Sequence, residues 1–400
     1  MRNFTVLISL MVILCSGPLF VEAQATVTDP PLLISGYYGD EIRQDVLFQY
    51  VNDAWEQLPV GEFYTASLSP DGEHLALLTL PPLLREIPGG LDWLWGSAWD
   101  ITLVDLKDGS RIEIATQPAS AGADADENGY SGGINRGTPL WSSDGRALAW
   151  IEQDYPARPP AARLVVHDLD SGVSRVLDDT IPQMGLSADG FPSFFDWGRA
   201  GVVVFTNDPS DSVETLRFYD VEAGLQKVIR VPDDEGQWIP LTGPLWLDAP
   251  AEPGGAVVVV QVSDRTWNRI NPLTSEVAWA GSRLEMVSAA SPAESLRLVW
   301  GIYHYLSEPV EPALQLLSAD GASLLTWDDL PGAQASTSPT QFVFAPSGQA
   351  AAYIEDGTLY RWQAGRVEEI AGPPDLHIAT LYWGPAEWQM GMRYESESFG

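Results

Sequence analysis

The sequence predicts an all-β fold built from repeated units of four antiparallel strands, and three observations support this class. Apolar residues alternate with polar ones in short runs on both sides of glycine-containing turns, which indicates antiparallel hairpins. Similar hairpins return about every fifty residues. A second series of hairpins lies between them, giving four strands per repeat. Four strands in about fifty residues is typical of one blade of a β-propeller.

The outer hairpins, the second pair of strands in each unit, show the repeat most clearly. The three clearest copies have an aspartate four residues before a glycine, and these pairs are Asp105 and Gly109, Asp168 and Gly172, and Asp220 and Gly224. Weaker copies turn at Asp53 and near Ser275, Gly321 and Gly365. The seven outer hairpins span residues 46–60, 101–114, 163–177, 216–229, 267–280, 314–327 and 359–371.

The inner hairpins lie between the outer ones and complete the units. Their seven copies span residues 64–80, 137–153, 191–207, 243–262, 285–303, 340–356 and 378–395. The chain therefore starts with an outer hairpin and finishes with an inner one. Pairing the two in a seventh blade would join the free edges of the ring. We predict seven blades closed by N- and C-terminal strands, with six blades and loose terminal strands as the alternative.

The predicted domain organisation is one propeller over residues 46–395, after a lead-in over 26–45 and before a tail over 396–400. Residues 1–25 resemble a secretory signal peptide, because an apolar run follows Arg2 and a cleavage pattern ends at Ala25. The run is too short to cross a bilayer, and no later apolar stretch reaches the necessary length. We therefore expect no membrane insertion after cleavage of the signal peptide. We expect a secreted or periplasmic protein, and lipid attachment at Cys15 is the alternative.

Charge and composition narrow the class of partner. The formal net charge is −34, so the chain repels DNA, RNA and anionic membranes. Its 16 Trp, 13 Tyr and 12 Phe provide enough apolar material for a core, so the acidic residues do not indicate disorder.

A short motif in the inner hairpins resembles a known family. Residues 69–76 read Ser-Pro-Asp-Gly-Glu-His-Leu-Ala, and residues 142–149 repeat the pattern. This element resembles the WD40-like repeat of TolB-type β-propellers and of the propeller domains of prolyl-oligopeptidase-type peptidases. The resemblance implies a propeller that binds protein partners in the periplasm. It implies no peptidase activity, because the blades leave no room for the separate catalytic domain of those enzymes.

The residues of this motif have conformational roles, so we predict that Asp71 and Asp144 are turn residues and not chemical groups. The Gly-x-Ser-x-Gly sequence around Ser131 lacks the strand and helix of a hydrolase elbow. The four histidines are scattered among different repeats without metal-ligand spacing. We therefore predict no catalytic residue.

Two long connections are the candidate binding face. They span 81–100 and 116–137, and both flank the first clear outer hairpin, so we expect them to be neighbours on one face of the ring. The first carries Trp93, Trp95 and Trp99, and the second carries Arg136. Exposed tryptophans beside polar groups suit a protein partner or a sugar ring. In the alternative interpretation these tryptophans form a local core.

The second connection also contains a weak metal motif. Asp124, Asp126 and Asn128, followed by Gly129, reproduce the first half of a calcium-binding loop. Asn135 occupies the twelfth position, where the full loop has a bidentate glutamate. The alternatives are a calcium site and a solvated acidic loop without any cofactor.

A further set of tryptophans recurs near the end of the first inner strand, at Trp141, Trp197, Trp246 and Trp383. Recurrence at equivalent places predicts packing between blades. The sequence as a whole predicts an exported, non-catalytic module that binds a protein, or else a glycan. The alternative function is a hydrolase or lyase acting on glycans or peptides at the central opening.

Overall fold

The computed structural model describes the strands and many of the turns of this chain. The described residues are 31–39, 45–82, 99–118, 133–155, 161–182, 195–198, 200–208, 213–230, 244–248, 253–263, 266–281, 283–288, 297–301, 314–317, 323–326, 342–345, 350–355, 358–363, 366–383 and 388–391. They form thirty β-strands in seven antiparallel sheets. The predicted all-β class and four-stranded unit are confirmed, whereas the number of blades in a ring stays a prediction.

We number the sheets from 1 to 6 along the chain, starting at β4, and the sheet shared by the two ends of the chain is sheet 7. Sheet 7 is formed from both ends of the described chain, by β1 (Leu32–Tyr38), β2 (Val46–Val51), β3 (Ala54–Gln57) and β29 (Leu376–Tyr382). Sheet 1 comprises β4 (Thr65–Leu68), β5 (His74–Thr79), β6 (Asp100–Asp105) and β7 (Arg111–Ala115). Sheet 2 comprises β8 (Gly133–Arg136), β9 (Leu140–Trp141), β10 (Ala147–Tyr155), β11 (Ala161–Asp168) and β12 (Val173–Pro182). Sheet 3 comprises β13 (Phe195–Gly198), β14 (Gly201–Asp208), β15 (Val213–Asp220) and β16 (Gly224–Arg230).

The remaining sheets follow the same plan. Sheet 4 comprises β17 (Leu245–Asp248), β18 (Ala256–Ser263), β19 (Thr266–Ile270) and β20 (Val277–Gly281). Sheet 5 comprises β21 (Arg283–Ser288), β22 (Arg297–Gly301), β23 (Leu314–Leu317), β24 (Ser323–Thr326) and β30 (Trp388–Gly391). Sheet 6 comprises β25 (Phe342–Phe344), β26 (Ala350–Glu355), β27 (Thr358–Gln363) and β28 (Arg366–Ile370).

The predicted outer turns are confirmed wherever the structure describes them. Their turn residues all have positive φ, namely Asp53 (60°), Gly109 (73°), Gly172 (66°), Gly224 (82°) and Ser275 (64°). This left-handed conformation strongly favours glycine and tolerates aspartate or asparagine best among the others, which explains the residue types in the strongest copies. The predicted turns near Gly321 and Gly365 lie outside the described residues.

Sheets 1, 2, 3 and 7 are apolar on both faces because each lies between two others. Successive side chains of a strand point to opposite faces. In β10, Leu148 and Trp150 pack in one core cluster with sheet 1, while Ala149 and Ile151 pack in another with sheet 3. Strands β5 and β14 divide their side chains in the same way. A strand buried on both faces has a continuous apolar sequence without alternation.

The sheets contact one another in chain order. Sheets 7 and 1, 1 and 2, 2 and 3, and 3 and 4 share core clusters, as do sheets 6 and 7. Strand β17 of sheet 4 also contacts β30 in sheet 5. Sheets 1, 2, 3, 4 and 7 therefore each have both chain neighbours as packing neighbours. No helix among these residues is long and apolar enough to span a membrane.

Sheet 7 differs in detail from the predicted pairing of the terminal hairpins. It takes three strands from the N-terminal part and only β29 from the C-terminal part, with Ile34 opposite Leu381. Strand β1 lies within the segment predicted as a lead-in, and β30 pairs with β21. The pairing of two terminal hairpins is therefore wrong. The physical reason is the apolar run at the start of β1, whose five residues Leu32–Gly36 are buried between neighbouring strands.

Two equivalent cations join neighbouring sheets at their outer strands. Arg175, three residues after Gly172, donates a hydrogen bond to the carbonyl of Val221 in sheet 3. Lys227, three residues after Gly224, donates to the carbonyls of Pro272 and Leu273 at 2.8 and 3.0 Å. Sheet 1 has Ile112 at this position, with 61% of its surface exposed. We refer to Arg175 and Lys227 as the outer latches.

Candidate functional site

The aspartates of the repeated motif are turn residues, as predicted. Oδ1 of Asp71 accepts hydrogen bonds from the Ser69 hydroxyl at 2.5 Å and from the backbone of Glu73 at 2.9 Å. Asp144 accepts equivalent bonds from Ser142 and Arg146. The glycine after each aspartate has a φ of 70°. The motif thus closes a hairpin through its own atoms.

The tips of both long connections lie outside the described residues. This applies to Trp93 and Trp95 in the first, and to Asp124, Asp126, Asn128 and Ser131 in the second. Their proposed roles stay predictions. Within the described part of the chain, no group of three or more His, Cys, Asp or Glu side chains is arranged to hold a metal ion.

Trp99 lies in the core and not on an exposed face. Only 4% of its surface is exposed, and its ring stacks on Tyr64 at a centroid distance of 4.8 Å. It belongs to the cluster shared by sheets 1 and 2, with Trp141 and Trp150 among its members. This residue therefore follows the local-core alternative, because the backbone at the end of the loop turns its side chain inward.

Arg136 is also buried, and it holds the two connections together. Its guanidinium donates to the carbonyl of Trp99 at 2.7 Å and to the carbonyl of Thr116 at 3.0 Å. Its Nε donates to Oε2 of Glu152 at 3.0 Å. These partners lie at the end of the first connection, at the start of the second and on β10. Arg136 cannot contact a partner directly, because all three of its nitrogens face the protein.

Gln117 is the second residue that joins the ends of the connections. Its side-chain amide donates to the carbonyls of Trp99 and Ile134 at 2.8 and 2.9 Å, and its oxygen accepts from the amide of Ile134 at 2.8 Å. Its backbone NH donates to Asp100 at 2.8 Å. One side chain thus ties the end of the first connection to both ends of the second.

The positive and negative side chains of this network interact with one another. Glu152 accepts from Arg136, from the indole of Trp150 at 3.1 Å and from Arg163 at 3.1 Å. Burial raises the pKa of the Asp100 carboxyl, while the Gln117 hydrogen bond and the Arg136 charge oppose this rise. A buried network of satisfied charges fixes geometry more than it adds stability. We call this contact between sheets 1 and 2 the loop-root junction.

Sheets 2 and 3 meet in a different way, which we call the grooved junction. Arg217 on β15 donates to Asp178 on β12 at 2.9 Å and to the hydroxyl of Tyr219 at 2.9 Å. That hydroxyl donates in turn to Asp178 at 2.8 Å. Burial alone would raise the pKa of Asp178, but hydrogen bonds from Thr180 and Tyr219 and the charge of Arg217 hold it below its ordinary value.

The four recurrent tryptophans pack between sheets, as predicted. Trp141 lies in the cluster of sheets 1 and 2 and donates from its indole to the carbonyl of Ser67 at 2.9 Å. Trp383 is buried between sheets 6 and 7. Trp197 and Trp246 pack against the clusters of sheets 2 and 3 and of sheets 3 and 4.

Sequence reasoning located the loops but missed the residues that fix their ends. Asp100, Gln117 and Glu152 do not belong to the repeat motif, so the search for repeats passed over them. One signal was present for Glu152: it follows the continuous apolar run 147–151 of a strand predicted to be buried. A charged residue there requires a buried partner.

Comparison with known proteins gives structural likeness only. No family model matches the chain, and no curated protein matches it. It is similar to a protein from Lactobacillus plantarum, with a TM-score of 0.47, 11% identity, and coverage of 89% of this chain and 100% of the other. It is also similar to the β-propeller domain of the Trilobed protease from Pyrococcus furiosus, with a TM-score of 0.41, 15% identity, and coverage of 78% and 86%. A chain of the mitotic checkpoint complex gives a TM-score of 0.41, 11% identity, and coverage of 93% and 89%.

Proposed function

We propose that the chain is a β-propeller whose seven sheets are the blades of one closed ring. The packing of described sheets in chain order supports this, as does the sharing of sheet 7 by strands from distant parts of the sequence. A ring of this kind places all connections of one type on one face. The connections 81–100 and 116–137 then lie side by side.

The proposed function is an exported, non-catalytic module that binds a protein partner through that face. The observation that carries this proposal is the loop-root junction, where Arg136 and Gln117 tie the ends of both connections to one another. Loops held on a rigid base lose less conformational entropy on binding, and this favours affinity. Trp93 and Trp95 are the aromatic residues we assign to the contact surface, whereas Trp99 and Arg136 support it from below.

The test replaces both contact tryptophans and leaves their support intact. Trp93→Ala combined with Trp95→Ala should abolish capture of the native partner in cross-linking from the envelope or culture medium. The matched control is Leu225→Ala with Val228→Ala, which removes exposed apolar side chains from β16 on sheet 3. Capture that survives in the loop variant and is lost in the control would move the contact surface elsewhere. A glycan array read with the same variants tests the sugar alternative.

Calcium and export are separate parts of the proposal, each with its own measurement. If Asp124, Asp126 and Asn128 bind calcium, the melting temperature in millimolar calcium exceeds that in chelator, and Asp126→Asn removes the difference. An identical melting temperature in both buffers excludes the calcium site. Export with cleavage after residue 25 predicts a mature N-terminus at Thr26, which N-terminal sequencing of protein from the source cells reads directly.

A further inference from the structure

The grooved junction contains a cavity of about 880 Å³ that the proposed function does not use. It lies between the hairpin turns of sheets 2 and 3, at the strand ends opposite to those that carry the connections 81–100 and 116–137. The lining residues on which the argument depends are Asp144, Arg146 and Asp168 from sheet 2, and Trp197, Asp220 and Glu222 from sheet 3.

The cavity exists because one turn departs from the repeat. At the loop-root junction, Pro70 and Asp71 pack against the turn of sheet 2, where a Cβ on Gly145 would lie 3.6 and 3.8 Å from their atoms. Sheet 3 lacks this Ser-x-Asp-Gly turn. Its strands β13 and β14 are joined by only two residues between the paired Gly198 and Gly201. The shorter turn leaves open the space that the longer turn fills at the preceding junction.

The acidic side chains of the cavity retain unused acceptor oxygens. Oδ1 of Asp144 accepts the bonds that close its turn, and Oδ1 of Asp220 accepts from the amides of Glu222 and Ala223 at 2.9 and 2.8 Å. Within the described residues, the second oxygen of each of these two carboxylates accepts no hydrogen bond. Bonds from Ser142 and Ser171, respectively, lower the pKa values of Asp144 and Asp168, so both are charged at neutral pH.

The two arginines of the cavity are already engaged. Arg146 donates to Asp170, which lies outside the lining, and Arg175 donates to the carbonyl of Val221. Glu222 is 3.8 Å from Arg175, with 92% of its side chain exposed. Among the described lining residues, four carboxylates and two engaged guanidinium groups leave an excess of negative charge.

An aromatic side chain completes the lining. Trp197 is half-buried, packs against the core cluster of sheets 2 and 3, and is one of the residues that line the cavity. An aromatic face beside carboxylates attracts an organic cation through both the ring quadrupole and the charge. We propose that this groove binds an ammonium or guanidinium group, supplied by a lysine or arginine side chain of a peptide or by a free diamine.

The experiment is calorimetry on the full chain at low ionic strength with three probes. These are the peptide Ac-Gly-Arg-Gly-Lys-Gly-amide, the same peptide with norleucine at both basic positions, and 1,5-diaminopentane. We expect the basic peptide or the diamine to bind, and the norleucine peptide not to bind. A basic peptide that binds more tightly than the diamine identifies a side chain as the source, and the reverse order identifies a free diamine.

A matched pair of variants separates the groove from the general attraction of an acidic protein. Asp144→Asn with Asp220→Asn removes two charges from the groove and keeps the oxygens that close the turns. Asp53→Asn with Asp108→Asn removes two charges from turns elsewhere. We expect the dissociation constant to rise about tenfold or more in the groove variant and less than about twofold in the control. Equal weakening in both, or no binding of either cationic probe, overturns the proposal.

The result is independent of the proposed loop face. Failure of the wild-type chain to bind either cationic probe, with retained partner capture, refutes only the groove. Loss of partner capture in the tryptophan variant with retained cation binding supports the loop face and leaves the groove proposal unchanged. Equal melting temperatures of the wild type and both aspartate variants show that the turns remain closed.

Discussion

The loop-root junction and the grooved junction are built from the same repeat but are closed by different means. Both have a core cluster of alternating strand residues, Leu148 and Trp150 on one side of sheet 2 and Ala149 and Ile151 on the other. The first adds a buried polar network around Arg136. The second has a largely buried ion pair between Arg217 and Asp178, an outer latch and a cavity of about 880 Å³.

This comparison separates the apolar packing that the two junctions share from the polar contacts that are specific to each. The shared apolar packing sets the spacing of the sheets, and it follows from the period of two along each strand. Departures from the repeat determine the polar contacts and the cavity that distinguish one junction from the other. Long connections with polar ends produce the loop-root junction, and a shortened inner turn produces the groove. Candidate sites therefore lie where the repeat fails.

The largest expected effect comes from breaking the loop-root junction at its central cation. Arg136→Met leaves Glu152 partly unpaired, removes the guanidinium donor to the carbonyl of Thr116 and removes one of the two donors to the carbonyl of Trp99. It should therefore lower the free energy of unfolding by about 3 kcal/mol or more. Urea denaturation followed by circular dichroism measures this. The control is Arg146→Met at the other junction, whose ion pair with Asp170 is exposed, and it should lower the free energy of unfolding far less than Arg136→Met does. Similar losses in the two variants would contradict the contrast.

A smaller effect is expected from the amide that ties the connections. Gln117→Leu keeps the approximate shape of the side chain but removes its bonds to the amide and the carbonyl of Ile134, which should cost about 2 kcal/mol, while the carbonyl of Trp99 keeps its bond from Arg136. Because the ends of the connections are released, limited proteolysis should cut within 81–100 and 116–137 faster than in the wild type. Gln49→Leu, which removes an exposed bond to Glu56, is the control. Unchanged cleavage rates would show that Gln117 does not restrain the connections.

The two junctions should respond to pH with opposite signs. The pKa of Asp178 is lowered, so its interactions stabilise the fold above the unfolded pKa of 3.8 and are lost as the pH falls through the folded value. The pKa of Asp100 is raised, so stability falls as the pH rises from the unfolded pKa of 3.8 to the folded value, and the loss is complete above that value.

Two isosteric variants measure this opposition. At pH 7 the melting temperature should fall in Asp178→Asn and should rise or stay level in Asp100→Asn. Both differences should shrink as the melts are repeated at decreasing pH below 3.8, because the carboxyls then become protonated in the unfolded chain and, at the folded pKa values, in the native state. A fall of equal size in both variants at pH 7 would show that the junctions do not differ electrostatically.

The smallest effect belongs to the outer latches. Lys227→Met removes a partly exposed ammonium that donates to two carbonyls of sheet 4, so the expected loss is about 1 kcal/mol or less. Arg175→Met should behave alike, because it occupies the equivalent place in sheet 2. A change of Ile112 to Lys in sheet 1 tests whether a latch can be added there. A loss near 3 kcal/mol in either Met variant would rank the latches with Arg136.

The sequence predicted the hairpins well because their determinants are local. The turn at Gly172 needs positive φ, and the turn around Asp71 closes through bonds between neighbours in sequence. The terminal sheet was predicted less well. Strand β1 carries no copy of the repeat, and its partner Leu381 lies more than three hundred residues away. Pairing over such a distance leaves no local pattern to detect.

For the candidate face, the sequence pointed to two connections whose ends meet in the structure, but it placed Arg136 on the contact surface and left Trp99 between a contact surface and a local core. Trp99 and Arg136 lie at the ends of the two long connections, as their positions require. An end of a loop can point outward or inward, and the sequence does not distinguish the two. In the folded chain Trp99 stacks on Tyr64, and Arg136 reaches Glu152 on another strand.

The sequence by itself determined the class of fold, the turn residues and the places where the repeat fails, because these follow from periodicity and from local backbone preferences. Only the tertiary structure decided which polar groups meet. Arg136, Thr116 and Trp99 come together, and Asp144 comes to face Asp220 across the groove, because neighbouring sheets pack face to face. Such contacts depend on the distance and angle between sheets, which no single strand encodes.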